Sequence, residues 1–172
     1  ILFQYPDTFG HLSDLENLIK ICHKNKTLVC VATDLLSLAL LKPPGEMDAD
    51  VVLGNSQRFG TPLGFGGPHA AFFATKNKFI RSMPGRIIGV TIDKREKNTY
   101  RMILQTREQH IRRDKATSNI CTSQALLANV SAAYAVYHGP EGIKIIAKNI
   151  HDKTKVLAHA IKTKFKIYSN NF

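Results

Sequence analysis

Short apolar runs fill the first half of the chain, and helical stripes take over toward its end. "ILFQYP" (1–6) reads as a short strand stopped by Pro6, and "TLVCVAT" (27–33) as a β-branched run of the kind that fills a buried parallel strand. Between them Ser13 and Glu16 stand at capping-box spacing, predicting a helix with Leu15, Leu18, Ile19 and Cys22 on its apolar face. "DLLSLALL" (34–41) predicts a short helix stopped by Pro43, Pro44 and Gly45. "DVVLG" (50–54) and "HAAFFAT" (69–75) are two further buried strands, joined by a loop rich in glycine. From Pro84 onward the pattern changes. "IIGVTID" and "TYRMILQT" flank the polar run "KREKN" and predict an antiparallel hairpin. The next stretch, "REQHIRRDKATSNICT", is polar and has no period. It leads into a helix, starting near Ile120, with Leu126, Leu127, Val130, Ala133, Tyr134 and Tyr137 in a stripe that Gly139-Pro140 ends. A last helix carries Ile143, Ile146, Ile150, Leu157 and Ile161 on one side, and residues 162–172 read as a frayed end.

Strand, helix, strand, helix, strand implies an α/β fold with a largely parallel sheet, in which ligands sit at the carboxyl ends of the strands. Three features fall at such ends: Thr33-Asp34, Ser56-Gln57, and "KATSNICT" just before the long helix. A chain of 172 residues with 44% apolar content is enough for one ordinary domain with a sizeable core. It opens on Ile1, inside a strand, which is expected of a processed or partial chain. The longest apolar run, "LLSLALL", covers about a third of a membrane span.

Charge and cysteine content narrow the picture further. Residues 143–172 hold seven lysines and one acid, more than half of the net charge of +11. A solvated helical face explains them. A nucleic-acid patch is the sharper reading, but no nucleic-acid motif is present. Cys22, Cys30 and Cys121 stand 8 and 91 residues apart, which fits no zinc pattern and no even disulfide framework, and reads as three reduced structural thiols. The glycine loop lacks both GxGxxG at a strand–helix turn and GxxxxGK[ST], so it is not a nucleotide phosphate loop.

An Asp ending one parallel strand, with a reactive residue about 20–30 positions later at the end of the next, is the layout of a pyridoxal phosphate site. The carboxylate keeps the pyridine nitrogen protonated, and a lysine must hold the cofactor. Asp34 takes the first position. Twenty-three residues later stands Gln57, whose amide is no nucleophile.

"DLLSLALLKPPGE", "GNSQRFGTPLGFGGPHAAFFA", "MPGRIIGVT" and "LQTREQHIRRDKATSNICTSQALLAN" resemble the P-protein family of the glycine cleavage system, glycine dehydrogenase (decarboxylating), over roughly residues 1–160. The resemblance implies part of a fold-type-I pyridoxal-phosphate-enzyme large domain over 1–138, with 139–172 opening the following helical or small-domain segment. It also implies a protein of two similar halves, the carboxyl-terminal one carrying the lysine in a His-Lys-Thr-Phe motif. Ser56-Gln57-Arg58-Phe59 match the amino-terminal half, so no catalytic residue and no metal ligand is expected on this chain. The implied whole protein decarboxylates glycine on pyridoxal phosphate held by the other half. It then passes the aminomethyl group to the lipoyl group of the carrier H-protein.

The implied partners are the catalytic half (fused or separate), that carrier and glycine, with no nucleic acid and no membrane. The implied location is the mitochondrial matrix in a eukaryote and the cytoplasm in a bacterium. The alternatives are a truncated interaction domain without activity and, remotely, a basic nucleic-acid-binding module. Thr117, Ser118 and Asn119 either cap the long helix or also reach the phosphate of the partner half's cofactor. His110, Arg112, Arg113 and Lys115 form a solvated loop face or steer an anionic substrate or the carrier. His69 is expected to be structural, Asp34 a remnant that caps the helix after it, and the loop 56–68 an interface element.

Overall fold

The computed structural model describes residues 1–83, 87–104, 113–116 and 124–168. Four strands, β1 (Leu2–Tyr5), β2 (Cys30–Asp34), β3 (Val51–Asn55) and β4 (Ala71–Thr75), form one sheet in sequential order. β1 pairs with β2, and β2 with β3, both in parallel, with Val31 opposite Phe3 on one side and Val52 on the other. The crossover between β1 and β2 contains helix α1 (Leu15–Lys24). The second long helical element, α2 (Gln124–Ile161), packs on the turn that follows β2. This is the α/β architecture that the alternation of runs predicts.

Leu15 and Ile19 of α1 are buried against Tyr5, Val31, Met47 and Val52. Each such side chain contributes roughly 1.5–3 kcal/mol by leaving water. The start of α1 differs in detail from the capping-box reading. Asp14 caps the helix, its Oδ1 accepting the Asn17 N–H at 3.2 Å. Glu16 faces outward, pairing with Lys20 at 3.1 Å and Lys42 at 2.6 Å. The Lys42 hydrogen bond, followed by that of Lys20, holds the Glu16 carboxyl below the usual carboxylate range.

The helix expected over 34–41 shrinks to a single 3-10 turn, Ser37–Ala39. The cause is local. Asp34 Oδ1 accepts the Leu36 N–H at 3.2 Å, and Ser37 Oγ donates to the Asp34 carbonyl at 2.7 Å. The Ser37 hydroxyl thereby takes the Asp34 carbonyl that a helix would have used, and the Asp34 side chain bends the chain back on the Leu36 N–H. Pro43 and Pro44 then follow before a second turn can form.

α2 departs from regular geometry at Gly139 (φ 63°, ψ 178°), where a side chain would be strained, and Pro140 opens the following turns. Its first part carries two apolar lines rather than one. Leu127, Val130 and Tyr134 are half-buried, whereas Leu126 and Tyr137 are 70% and 86% exposed. At 100° per residue these lines lie roughly 60° apart, so the apolar arc is wider than what this chain covers. Beyond the break, Ile143 and Ile146 pack around buried Leu36, Phe59 and Ala147, whereas Leu157 is exposed.

Residues 75–122 form a separate compact unit. Within it β5 (Ile87–Ile92) and β6 (Asn98–Leu104) pair antiparallel, as the sequence predicts. Asp93 closes their turn: its Oδ1 accepts from the Arg95 and Lys97 N–H groups at 2.7 and 3.0 Å.

Candidate functional site

The parallel register brings Asp34 opposite Asn55, so the ends of β2 and β3 lie side by side with Gln57 two residues beyond. The close approach depends on Gly54, opposite Thr33. A Cβ on Gly54 would stand 1.8 Å from the Thr33 carbonyl oxygen. At these ends lies a cavity of about 460 Å³, lined by Gln4, Asp7, Thr33, Asp34, Gly54 and Asn55. Thr33 is 6% exposed, and among the described residues its hydroxyl has no hydrogen-bond partner.

The chain after β3 is held as a compact turn. Gln57 donates its N–H to Asn55 Oδ1 at 2.6 Å, and its carbonyl accepts the Thr61 N–H at 3.0 Å. Ser56 is buried, with Oγ 3.2 Å from Ser131 Oγ on α2. Phe59 is buried beside Tyr134, ring centroids 5.7 Å apart. Gly60 (φ 87°) passes beneath that ring, where a Cβ would come within 3.0 Å of it. The glycines of the turn thus serve both positive φ and close packing. At the loop tip Leu63 and Phe65 are exposed.

Arg58 sends its guanidinium back to Asp34, where Nη2 pairs with Oδ2. Both oxygens of Asp34 are therefore engaged, Oδ1 by the Leu36 N–H and Oδ2 by Arg58. Asp34 does not cap a helix as expected: the 3-10 turn that replaces that helix follows Leu36 and has no side-chain cap. Asp34 instead holds the bend after β2 through the Leu36 N–H and an ion pair. Nothing in the sequence announces that pair, because residues 24 positions apart meet only through strand register.

Pyridoxal phosphate does not fit these residues as a covalently held group. Gln57 offers no amine, and the carboxylate that a ring nitrogen would need is already neutralised by Arg58. Among the described residues no three His, Cys, Asp or Glu side chains come together as a metal site. No described helix is long and apolar enough to cross a membrane.

The other site residues read from the sequence are distributed as follows. His69 accepts a hydrogen bond at Nδ1 from the Asn55 amide at 2.7 Å, a structural contact at the rim of the turn. Arg113 and Lys115 are exposed on a 3-10 turn, Arg113–Lys115. Thr117, Ser118, Asn119, His110, Arg112 and Cys121 lie outside the described residues, as does the start of the long helix near Ile120.

A second polar centre escaped the sequence reading. Asp50, 1% exposed, accepts the Val29 N–H at 3.0 Å and faces His23 Nε2 at 2.8 Å, while His23 Nδ1 is 3.3 Å from Asp48. It lies at the amino-terminal side of β2 and β3, away from the strand ends, and joins α1 to the sheet.

Comparison with known proteins gives one consistent family. The model of the glycine cleavage system P-protein matches residues 1–172. Mitochondrial glycine dehydrogenase (decarboxylating) of Gallus gallus is 62% identical over 162 residues, 94% of this chain and 16% of the relative. The Dictyostelium discoideum enzyme of the same name is 65% identical over 161 residues, again 94% and 16%. Glycine dehydrogenase (decarboxylating) of Aliivibrio fischeri is 62% identical over 162 residues, 94% and 17%. The chain thus spans about one-sixth of the length of these curated relatives. A crystal structure of glycine decarboxylase (P-protein) of the glycine cleavage system, in inhibitor-bound form, superposes with a TM-score of 0.90. That structure is 38% identical, and the match covers 99% of this chain and 40% of the other.

Proposed function

Since this chain belongs to the glycine cleavage system P-protein family, we propose that it is a segment of a glycine dehydrogenase (decarboxylating), taken from the half that lacks the cofactor lysine. The whole protein would release carbon dioxide from glycine with pyridoxal phosphate and transfer the aminomethyl group to the lipoyl group of a carrier H-protein. In that protein this segment is a scaffold and partner for the catalytic half. A eukaryotic version would work in the mitochondrial matrix, a reading supported by the word mitochondrial in the Gallus gallus relative's name, and a bacterial one in the cytoplasm.

The observation that carries the reading is the pair of strand ends. Asp34 and Gln57 stand where a cofactor carboxylate and lysine would, and neither is available for those tasks. In the full-length protein, borohydride reduction followed by peptide mapping should find the pyridoxyl group outside residues 1–172. Release of carbon dioxide from glycine should depend on the lipoyl carrier. A trapped group within this segment, or no carrier-dependent release, would overturn the proposal.

Two finer parts of the reading follow. Residues 1–138 belong to the large domain and 139–172 open the next segment, a division supported by the non-helical Gly139. Thr117, Ser118 and Asn119 reach the phosphate of the partner half's cofactor, a reading supported by their place in the sequence ahead of the long helix, since free N–H groups at a helix start favour an anion. Thr117→Val with Ser118→Ala should then weaken pyridoxal phosphate binding by the whole enzyme roughly 5- to 150-fold, the equivalent of ~1–3 kcal/mol for two charge-assisted hydrogen bonds. A role in capping alone predicts lower thermal stability with an unaltered dissociation constant.

A further inference from the structure

We propose that Arg58 is the residue that keeps this half empty: its guanidinium occupies Asp34, so that the strand ends would refuse pyridoxal phosphate even if an amine were supplied at position 57. The inference rests on the reading of this segment as the half without the cofactor lysine, and goes beyond it. Loss of the lysine removes only the covalent bond. A phosphorylated pyridine could still be held by contacts to its ring and phosphate, and a carboxylate at Asp34 would be the strongest of the ring contacts, because it stabilises the protonated nitrogen.

Arg58 is placed for that exclusion from both ends. Its backbone belongs to the turn fixed by Ser56 on Ser131 and by buried Phe59 on Tyr134. Arg58 also lines a second, largely apolar cavity of about 500 Å³, together with Leu36, Leu40, Ala147 and Ile150. The two groups meet at the protein surface, at 40% and 36% side-chain exposure, with the Asp34 carboxylate held from its other side by the Leu36 N–H.

The electrostatic consequence is simple. A lone carboxylate attracts a protonated ring nitrogen, whereas a carboxylate paired with a guanidinium belongs to an ion pair of zero net charge. A second cation approaching from the strand-end cavity would meet Arg58 as a like charge. Asp34 retains lone pairs on that side, but their charge is spent. Arg58 therefore determines specificity at this site by subtraction, and restricts the cofactor to the other half of the protein.

The test uses the full-length protein and pyridoxal phosphate itself. Labelling at position 57 is read as the borohydride-stable pyridoxyl adduct on the peptide that contains it, as a function of cofactor concentration. Gln57→Lys alone should label weakly. Gln57→Lys with Arg58→Ala should label at a roughly tenfold lower concentration, the equivalent of one charge-assisted hydrogen bond regained. Arg58→Gln in the same background should behave alike, which separates loss of charge from loss of side-chain volume. Adding Asp34→Asn should cancel the gain. Equal labelling with and without Arg58, or a gain that survives Asp34→Asn, would overturn the proposal, and so would failure of both double variants to label while their thermal unfolding matches that of the parent. A pyridoxyl group on this segment of the unmodified protein would instead sink the proposed function, so the two failures are told apart.

Discussion

Gly54→Ala is expected to unfold this segment. The new methyl carbon would sit 1.8 Å from the Thr33 carbonyl oxygen, 3.0 Å from its carbonyl carbon and 2.9 Å from the Phe72 ring. The first two neighbours are backbone of the adjacent strand and have no rotamer by which to escape. Relief requires β2 and β3 to part at Thr33–Gly54, next to the pair that aligns Asp34 with Asn55. Losses above ~4–5 kcal/mol are exceptional for one substitution, and this contact is tight enough to reach them. Against a typical domain stability of ~5–15 kcal/mol, that leaves a large unfolded fraction. Gly45→Ala is the matched control: a Cβ there meets nothing within 4 Å, so its effect should stay within about 0.5 kcal/mol. Soluble yield and thermal unfolding of the two variants in the full-length protein decide the matter. Equal behaviour would mean that the strand ends tolerate separation.

The second large effect is expected at Asp50. Asp50→Ala leaves the Val29 N–H without its acceptor and His23 Nε2 without its partner, both at the joint between α1 and the sheet. Removing Asp50 costs about 3 kcal/mol, mainly because the buried Val29 N–H loses its acceptor, whereas His23, 28% exposed, regains water. Asp50→Asn keeps the shape and one oxygen, so its cost should be about 1–3 kcal/mol. Hydrogen exchange in the full-length protein reads this locally. A loss of ~3 kcal/mol corresponds to roughly 150-fold faster exchange wherever protection depends on the joint, and Val29 should show it. If Val29 exchanges equally fast in Asp50→Ala and the parent, the pair does not hold the joint.

Both effects concern backbone approach and burial, and neither residue attracts notice in the sequence. Gly54 reads there as one glycine among several, and Asp50 as the polar first residue of an apolar strand run. The lesson extends to the elements themselves. β1, β2 and β3, α1, the β5–β6 hairpin and the break at Gly139 were legible because each is set by neighbours in the chain: apolar runs, helical spacing, and a glycine–proline step. The short helix over 34–41 was misread for an equally local reason. Asp34 and Ser37 bind backbone groups a few residues away, a competition that apolar spacing does not record. The same held at the cap of α1, where Asp14 acts in place of Ser13.

What the residues alone determined about function is the absence of an amine at position 57 and, through long matching stretches, the family. Those are properties of residue identity at given places, and need no coordinates. Only the tertiary structure decided that Arg58 neutralises Asp34, that Asp50 and His23 tie α1 to the sheet, and that α2 presents a second apolar line to the outside. Each depends on which residues the strand register and helix packing bring within a few ångströms. Partners separated by 24 or 27 positions in the chain share no local pattern, and the free energy that pairs them is set by burial and distance, which exist only once the chain has folded.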